Sequence, residues 1–457
     1  MSLLPKTYYN KNIRVALPVI FSFAGQALVQ IADSVMTGQL GATPLAAVSL
    51  SGAVVMNFLV LGIGLSVGLT PIAGNFWATG DFRRVSAYFQ NSLLVNFLAS
   101  IIITIALLSI LPFLGNIGQP QEVVGIMGSY YILITASIIP FMLFQAFKQF
   151  MEGAGNTRIA MNITLIANAI NILLNYLLIF GKFGFPQMGI AGAGLATLVS
   201  RIFMPIAFWL SIKKNFSFSR YFKFFSNINF SRFKQKELIK MGLPISGQMS
   251  IEFLSLSLIT IMMGWISTES LAANQIVLTM INLTFMVSNG ISAATTIHVS
   301  HSFGKKDIYG IKKNGYAGIH LSALIMIIAA IIFLFLGEEI ASIFTNSQEV
   351  IEISGKIFIV VAFFEILDGL QVTALGALRG IMDVRAAMKY AIVSYLFVSI
   401  PFAYFAGFVL GFAEVGLMSG FAVGLLVASI LFITRFNSKT SNSHTLFLNL
   451  GYEKEKL

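Results

Sequence analysis

The chain has 457 residues, of which 57% are hydrophobic and 10% charged; a soluble domain carries about 25% charged residues, so an ordinary water-facing surface is excluded. The net charge of +11 would suggest nucleic acid in a soluble protein, but here Lys and Arg stand in short segments between long apolar runs. There they orient a membrane chain and meet anionic headgroups. There are no cysteines, which removes disulfides, thiolate metal sites and Cys nucleophiles, and the four His show no metal-ligand spacing beyond an i, i+3 pair, His298 and His301.

A helix needs about 20 apolar residues to cross the hydrocarbon core, and the sequence offers twelve such runs. The first, Ile13–Met36, carries Asp33 near its outer end and continues into further spans, so no cleavable signal peptide is expected. The second, third and fourth are Leu45–Ala73, Tyr88–Leu111 and Val123–Phe147; Pro71 and Pro140 inside them predict kinks. The fifth, Ile159–Phe180, carries Asn168, Asn171 and Asn175, and the sixth, Gly189–Ile212, carries Thr197, Arg201 and Pro205. A basic stretch rich in Ser and Phe, Lys213 to Lys240, is expected to lie on the membrane surface. The remaining six are Leu238–Ile266, Ala272–Val299, Gly315–Leu336, Val350–Leu378, Ala386–Leu410 and Val415–Phe436.

Alternate connections are basic, for example Arg83 and Arg84, Lys305 with Lys306, and Arg379 with Arg385. The others are neutral or acidic, except for Lys182 and Lys356. The positive-inside rule then puts both termini in the cytoplasm of a cell inner (plasma) membrane protein, in agreement with an even number of spans.

The two halves repeat. Pro18 matches Pro244, Gly38 matches Gly264, Leu45-Ala46-Ala47 matches Leu271-Ala272-Ala273, and Asp81 matches Asp307, all 226 residues apart. Gly153, Arg158 and Met161 match Gly380, Arg385 and Met388, 227 apart. Pro18 and Pro244 are expected to open their helices. Each copy holds an even number of spans, so the repeats are parallel, about an axis along the membrane normal. The expected fold is all-α and integral to the membrane. It has an N-lobe (1–212), a cytoplasmic linker (213–237), a C-lobe (238–436) and a cytoplasmic tail (437–457), with a cleft between the lobes that opens to one side at a time.

Acids inside a span are costly and mark function by default. Four fall there: Asp33, Glu252, Glu365 and Asp368, with Arg201 the sole interior base. Asn171 and Asn175 share a helix face. With Asp33 and Thr197 they would make an oxygen-rich pocket for a proton or a small hard cation, or simply an interhelical hydrogen-bonded contact. Glu252 follows Gln248 by one turn, and Glu365, Asp368 and Gln371 stand at three-residue steps. Carboxylates brought together in a dry cavity repel, the physical basis for exchanging a proton or Na⁺ against a cationic substrate. The alternative is a buried structural acid paired with Arg201 or a backbone group. Gln30, Gln248, Gln275 and Gln371 are candidates for the substrate cavity. A minority of the 42 Phe and 19 Met could line a soft pocket for apolar cations.

The run Gln30-Ile31-Ala32-Asp33-Ser34-Val35-Met36-Thr37-Gly38 with Leu45-Ala46-Ala47-Val48-Ser49 resembles the first-helix signature of MATE (multidrug and toxic compound extrusion) transporters. Glu152-Gly153-Ala154-Gly155-Asn156-Thr157 resembles that family's turn between helices 4 and 5. Ala377-Leu378-Arg379-Gly380 with Asp383 resembles its counterpart after helix 10. The resemblance covers almost the whole chain and is strongest to the NorM branch. It implies a MATE fold, an N-lobe cation or proton site at Asp33, Asn171 and Asn175, and C-lobe carboxylates at Glu252 and Asp368; either set is a candidate Na⁺ site. Some sodium-coupled members carry a Tyr where this chain has Phe364.

These features lead to the expectation of a non-enzymatic multidrug efflux antiporter coupled to Na⁺ or H⁺. It would act as a monomer on lipophilic cationic small molecules in a lipid bilayer, with no further cofactor and no nucleic-acid partner. No nucleotide-binding P-loop is present to drive it as a primary pump. The alternative is a flippase for lipid-linked oligosaccharides or polysaccharides, which would want a cationic cavity for a pyrophosphate head.

Overall fold

The computed structural model describes residues 4–116, 120–214, 230–441 and 446–447. Fourteen long or medium helices account for the twelve expected spans. In chain order they are α1 (Lys6–Gly38), α2 (Ala42–Val67), α3 (Leu69–Ala78), α4 (Phe82–Ile110), α5 (Gln121–Ala136), α6 (Ile138–Gly153), α7 (Thr157–Phe180) and α8 (Ile190–Lys214). The second half has α9 (Arg232–Ile266), α10 (Thr268–Gly304), α11 (Ile308–Phe344), α12 (Gln348–Gly380), α13 (Val384–Val409, with π-helical turns) and α14 (Ala413–Ser441). Eleven spans among the described residues are long and apolar enough to cross a membrane. The twelfth is α12, 33 residues long and mostly buried among its neighbours. Side chains such as Ile102, Phe335 and Phe397 point outward, as lipid contact requires.

Prolines divide two of the spans. A Pro removes the hydrogen bond to the carbonyl four residues earlier. Pro71 frees Val67, where α2 ends, and Pro140 frees Ala136, where α5 ends. The corresponding positions of the second copy, Ile297 and Leu367, carry no proline, and α10 and α12 run unbroken. Pro205 stays inside an uninterrupted α8. Pro18 and Pro244 do not open their helices: α1 and α9 begin 12 residues earlier, at Lys6 and Arg232, because the polar residues there continue the helix beyond the apolar span. The expected linker is affected in the same way. Its residues 215–229 lie outside the described residues, and its end, from Arg232, is already α9. Of the expected tail, α14 takes residues to Ser441; His444 lies outside the described residues.

The repeat is visible in the helix starts. Lys6 and Arg232, Ala42 and Thr268, and Phe82 and Ile308 are each 226 apart; Gln121 and Gln348, and Thr157 and Val384, are 227 apart. Asp81 caps α4 through the Arg84 amide and Asp307 caps α11 through the Gly310 amide, at 3.0 and 2.9 Å. The chain forms two compact units, Phe21–Ser246 and Met1–Ile20 with Gly247–Leu457, and the two boundaries are again 226 apart.

One glycine holds the same place in each unit. A β-carbon at Gly153 of α6 would stand 2.8 Å from Ala73 Cβ and 2.9 Å from the Thr70 carbonyl of α3. A β-carbon at Gly380 of α12 would stand 2.7 Å from Val299 Cβ and 3.0 Å from the Thr296 carbonyl of α10. Both approaches are too close for any side chain. Gly153→Ala and Gly380→Ala are each expected to cost about 1–3 kcal/mol through overpacking, read as a lower melting temperature in detergent; unchanged melting would refute the close packing.

Candidate functional site

In the Phe21–Ser246 unit, α1 delivers Asp33, α7 delivers Asn171 and Asn175, and α8 delivers Thr197, Ser200 and Arg201. Asn175 donates from its amide to the Asp33 carboxylate and, over 3.1 Å, to the Asn171 carbonyl oxygen. The Asn171 amide donates to Thr197 Oγ1 at 3.4 Å and approaches Ser200 Oγ at 3.5 Å; turned about, it would donate to Asp33 over 3.2 Å. Thr37 Oγ1 donates to the Asp33 backbone carbonyl at 2.7 Å, one turn back along α1. The four residues expected to form the N-lobe site are therefore linked into one hydrogen-bonded group, with Asp33 half-buried and the two asparagines buried.

Arg201 belongs to this group. Its Nη1 donates to Ser137 Oγ at 2.8 Å, at the break between α5 and α6. Its guanidinium lies 4.8 Å from the centre of the Phe141 ring. Its charge is felt by Asp33 and Tyr130. Gln30 is exposed on α1.

In the second unit, α9 brings Gln248 and Glu252, and α12 brings Glu365, Asp368 and Gln371. Gln248 donates to Glu252 Oε2 at 2.7 Å, and Arg379 donates to the Gln248 carbonyl oxygen at 2.7 Å. Arg379 also acts on Glu252 through its charge. Thr284 of α10 donates to Glu365 Oε1 at 3.0 Å, while Glu365 Oε2 and both amide atoms of Gln371 are buried with no protein partner. Asp368 is buried and feels the charges of both Glu365 and Glu252. Gln275 is exposed on α10.

Phe364 is fully buried against Phe421, with ring centroids 5.8 Å apart. Tyr395 stacks on Phe421, with ring centroids 5.9 Å apart. It sits in a π-helical turn of α13, a distortion often found at functional sites. The Tyr395 hydroxyl faces Glu252 without a hydrogen bond of ordinary geometry. The hydroxyl that Phe364 lacks is thus presented from another helix.

The sequence reading missed Arg379, Thr284 and Tyr395. Arg379 had a signal: it follows Asp368 by 11 residues, three turns along one face of α12. Thr284 and Tyr395 had none, since only packing of α10 and α13 on their neighbours brings them in. Arg201 is also not the sole interior base. Lys148 is 5% exposed, 3.8 Å from Glu152, and Arg379 is half-buried. Among the described residues, Lys148 has an acid, Arg379 an amide, and Arg201 the charge of Asp33, each within its own unit.

The MatE family model matches this chain twice, over residues 18–177 and 244–405, one match in each repeat. The chain belongs to the MATE transporter family, on its NorM-like branch. It is 31% identical to a probable multidrug resistance protein NorM of Bradyrhizobium diazoefficiens, covering 93% of this chain and 92% of that one. It is 29% identical to a probable multidrug resistance protein NorM of Rhizobium meliloti, covering 94% and 93%. The MATE transporter VcmN of Vibrio cholerae in its bent form superposes with a TM-score of 0.85 at 17% identity, over 97% of this chain and 99% of that one. The MATE fold and multi-pass membrane character expected from the sequence are therefore found.

Proposed function

We propose that this MATE protein exports lipophilic cationic compounds in exchange for Na⁺ or H⁺ by alternating access, in a plasma (inner) membrane with both termini in the cytoplasm. The observation that carries the reading is an excess of acids on membrane-crossing helices. In the second unit Asp368 feels the charges of Glu365 and Glu252, and of the three acids Glu252 feels the base Arg379. Glu365 and Asp368 are 0% and 5% exposed. Charged groups there cost several kcal/mol, so a cation or a proton must visit to balance them. Occupancy by that ion and occupancy by a cationic substrate are then alternatives, which is the requirement for antiport. The multidrug resistance names of the NorM relatives support the substrate class.

The test is ethidium movement in liposomes holding the purified full-length protein, under an imposed Na⁺ or pH gradient. One gradient is expected to drive ethidium accumulation that collapses when an ionophore dissipates it. No movement under either gradient overturns the reading.

A further inference from the structure

A buried ion pair lies in the N-lobe, away from Asp33, and the transport reading makes no use of it. Lys148 and Glu152, one turn apart on α6, are each 5% exposed with nitrogen and oxygen 3.8 Å apart. The Lys148 ammonium lies 5.1 Å from the centre of the Phe23 ring of α1. Two residues further along α1 is Gly25, where a β-carbon would stand 2.8 Å from Asn168 Nδ2 of α7. Gly25 and, two turns higher, Asp33 meet α7 in one α1–α7 seam, while Phe23, on another side of α1, brings the pair against the same helix.

The seam is polar along its length. Thr164, Asn168, Asn171 and Asn175 share one face of α7 and are 0%, 9%, 3% and 0% exposed. From Thr164 to Asn175 the helix rises about 16 Å. Thr164 Oγ1, Asn168 Nδ2, Asn175 Oδ1 and, from α6, Gln145 Oε1 are buried with no protein partner. Such atoms are where internal water binds.

We propose that Glu152 is a proton station of the N-lobe, joined to Asp33 by this seam, with Lys148 as its tethered counter-charge. The inference rests on the antiport reading, with H⁺ as the ion. A proton leaves the Asp33 carboxyl, passes along water on the α7 face and binds the Glu152 carboxylate, releasing it from Lys148. It then passes to water at the α6–α7 turn, and the Glu152 carboxylate pairs with Lys148 again. Lys148 keeps its charge throughout.

The experiment uses full-length protein in pyranine-loaded liposomes with ethidium and a pH gradient. Glu152→Gln is expected to slow proton movement on the order of 100-fold, the low end of what a positioned proton acceptor contributes. Ethidium affinity should stay unchanged, and added formate should restore much of the rate by carrying protons in place of the carboxylate. A rate equal to that of the unaltered protein, or a loss that formate does not restore, overturns the station. Inactivity of Asp33→Asn in the same liposomes keeps the antiport reading standing in that event; an active Asp33→Asn strikes the antiport reading instead. If Glu152→Gln fails to fold, Thr164→Val carries the test: it removes one unpartnered hydroxyl from the seam and must slow proton movement at unchanged ethidium affinity, and an unchanged rate overturns the station.

Discussion

Asp368→Asn is expected to abolish gradient-driven export and leave the protein folded. The side chain is 5% exposed, and the charges it feels are those of two further acids, Glu365 and Glu252. An amide of the same shape relieves that repulsion, so melting in detergent should be unchanged or higher. Transport should behave the opposite way. The carboxyl feels the charges of two further acids, while Arg379 is engaged with Gln248 and Glu252. Without it the site loses the differential affinity that links ion and substrate. Coupling of this kind is worth about 1–3 kcal/mol, or roughly 5- to 150-fold. The membrane potential supplies about 2.3 kcal/mol per charge per 100 mV, and the variant has no route for using it. Ethidium accumulation should fall to the level of empty liposomes; accumulation at the original level would remove Asp368 from the mechanism.

Asp33→Asn should also stop export, with a different signature in stability. Asp33 accepts from Asn175 and is the anion nearest in effect to Arg201, which is otherwise held by Ser137 and Phe141. Removing the charge leaves Arg201 with neutral partners in a membrane helix. A loss of about 1–2 kcal/mol is expected, in the range of an unmatched buried polar group. The double variant Asp33→Asn/Arg201→Gln should recover the stability and not the export. If stability fails to return, the two charges are independent. Normal export by both Asp33→Asn and Asp368→Asn would reject the coupling scheme altogether.

Much of the fold could be read from the chain before any coordinates. Hydropathy gave the spans, because a membrane helix must be apolar for about 20 residues whatever its neighbours are. The repeat was legible from Gly and charged positions such as Gly153 with Gly380 and Asp81 with Asp307, whose roles in close packing and capping tolerate few alternatives. Helix ends were less legible. Lys6–Gly38 and Arg232–Ile266 extend beyond their apolar runs because a helix continues into the headgroup region wherever its hydrogen bonds can be kept. The N-lobe group was legible too, since Asn171 and Asn175 lie one turn apart and Asp33 is the acid of the first span.

The sequence by itself determined the class of molecule, the twofold repeat and the residue types costly enough in a membrane to require a purpose. Tertiary structure decided the partners. Arg201 acts on Asp33 through its charge, Arg379 reaches Glu252 through Gln248, and Tyr395 comes from a π-helical turn to feel Glu252 and Asp368. Lys148 and Glu152 pair along α6, and α1 supplies the Phe23 ring beside the ammonium. The reason is physical. Burial cost is a property of each side chain and is written in its identity, whereas neutralisation is a property of pairs, and pairs across helices depend on rotations and depths that hydropathy does not encode.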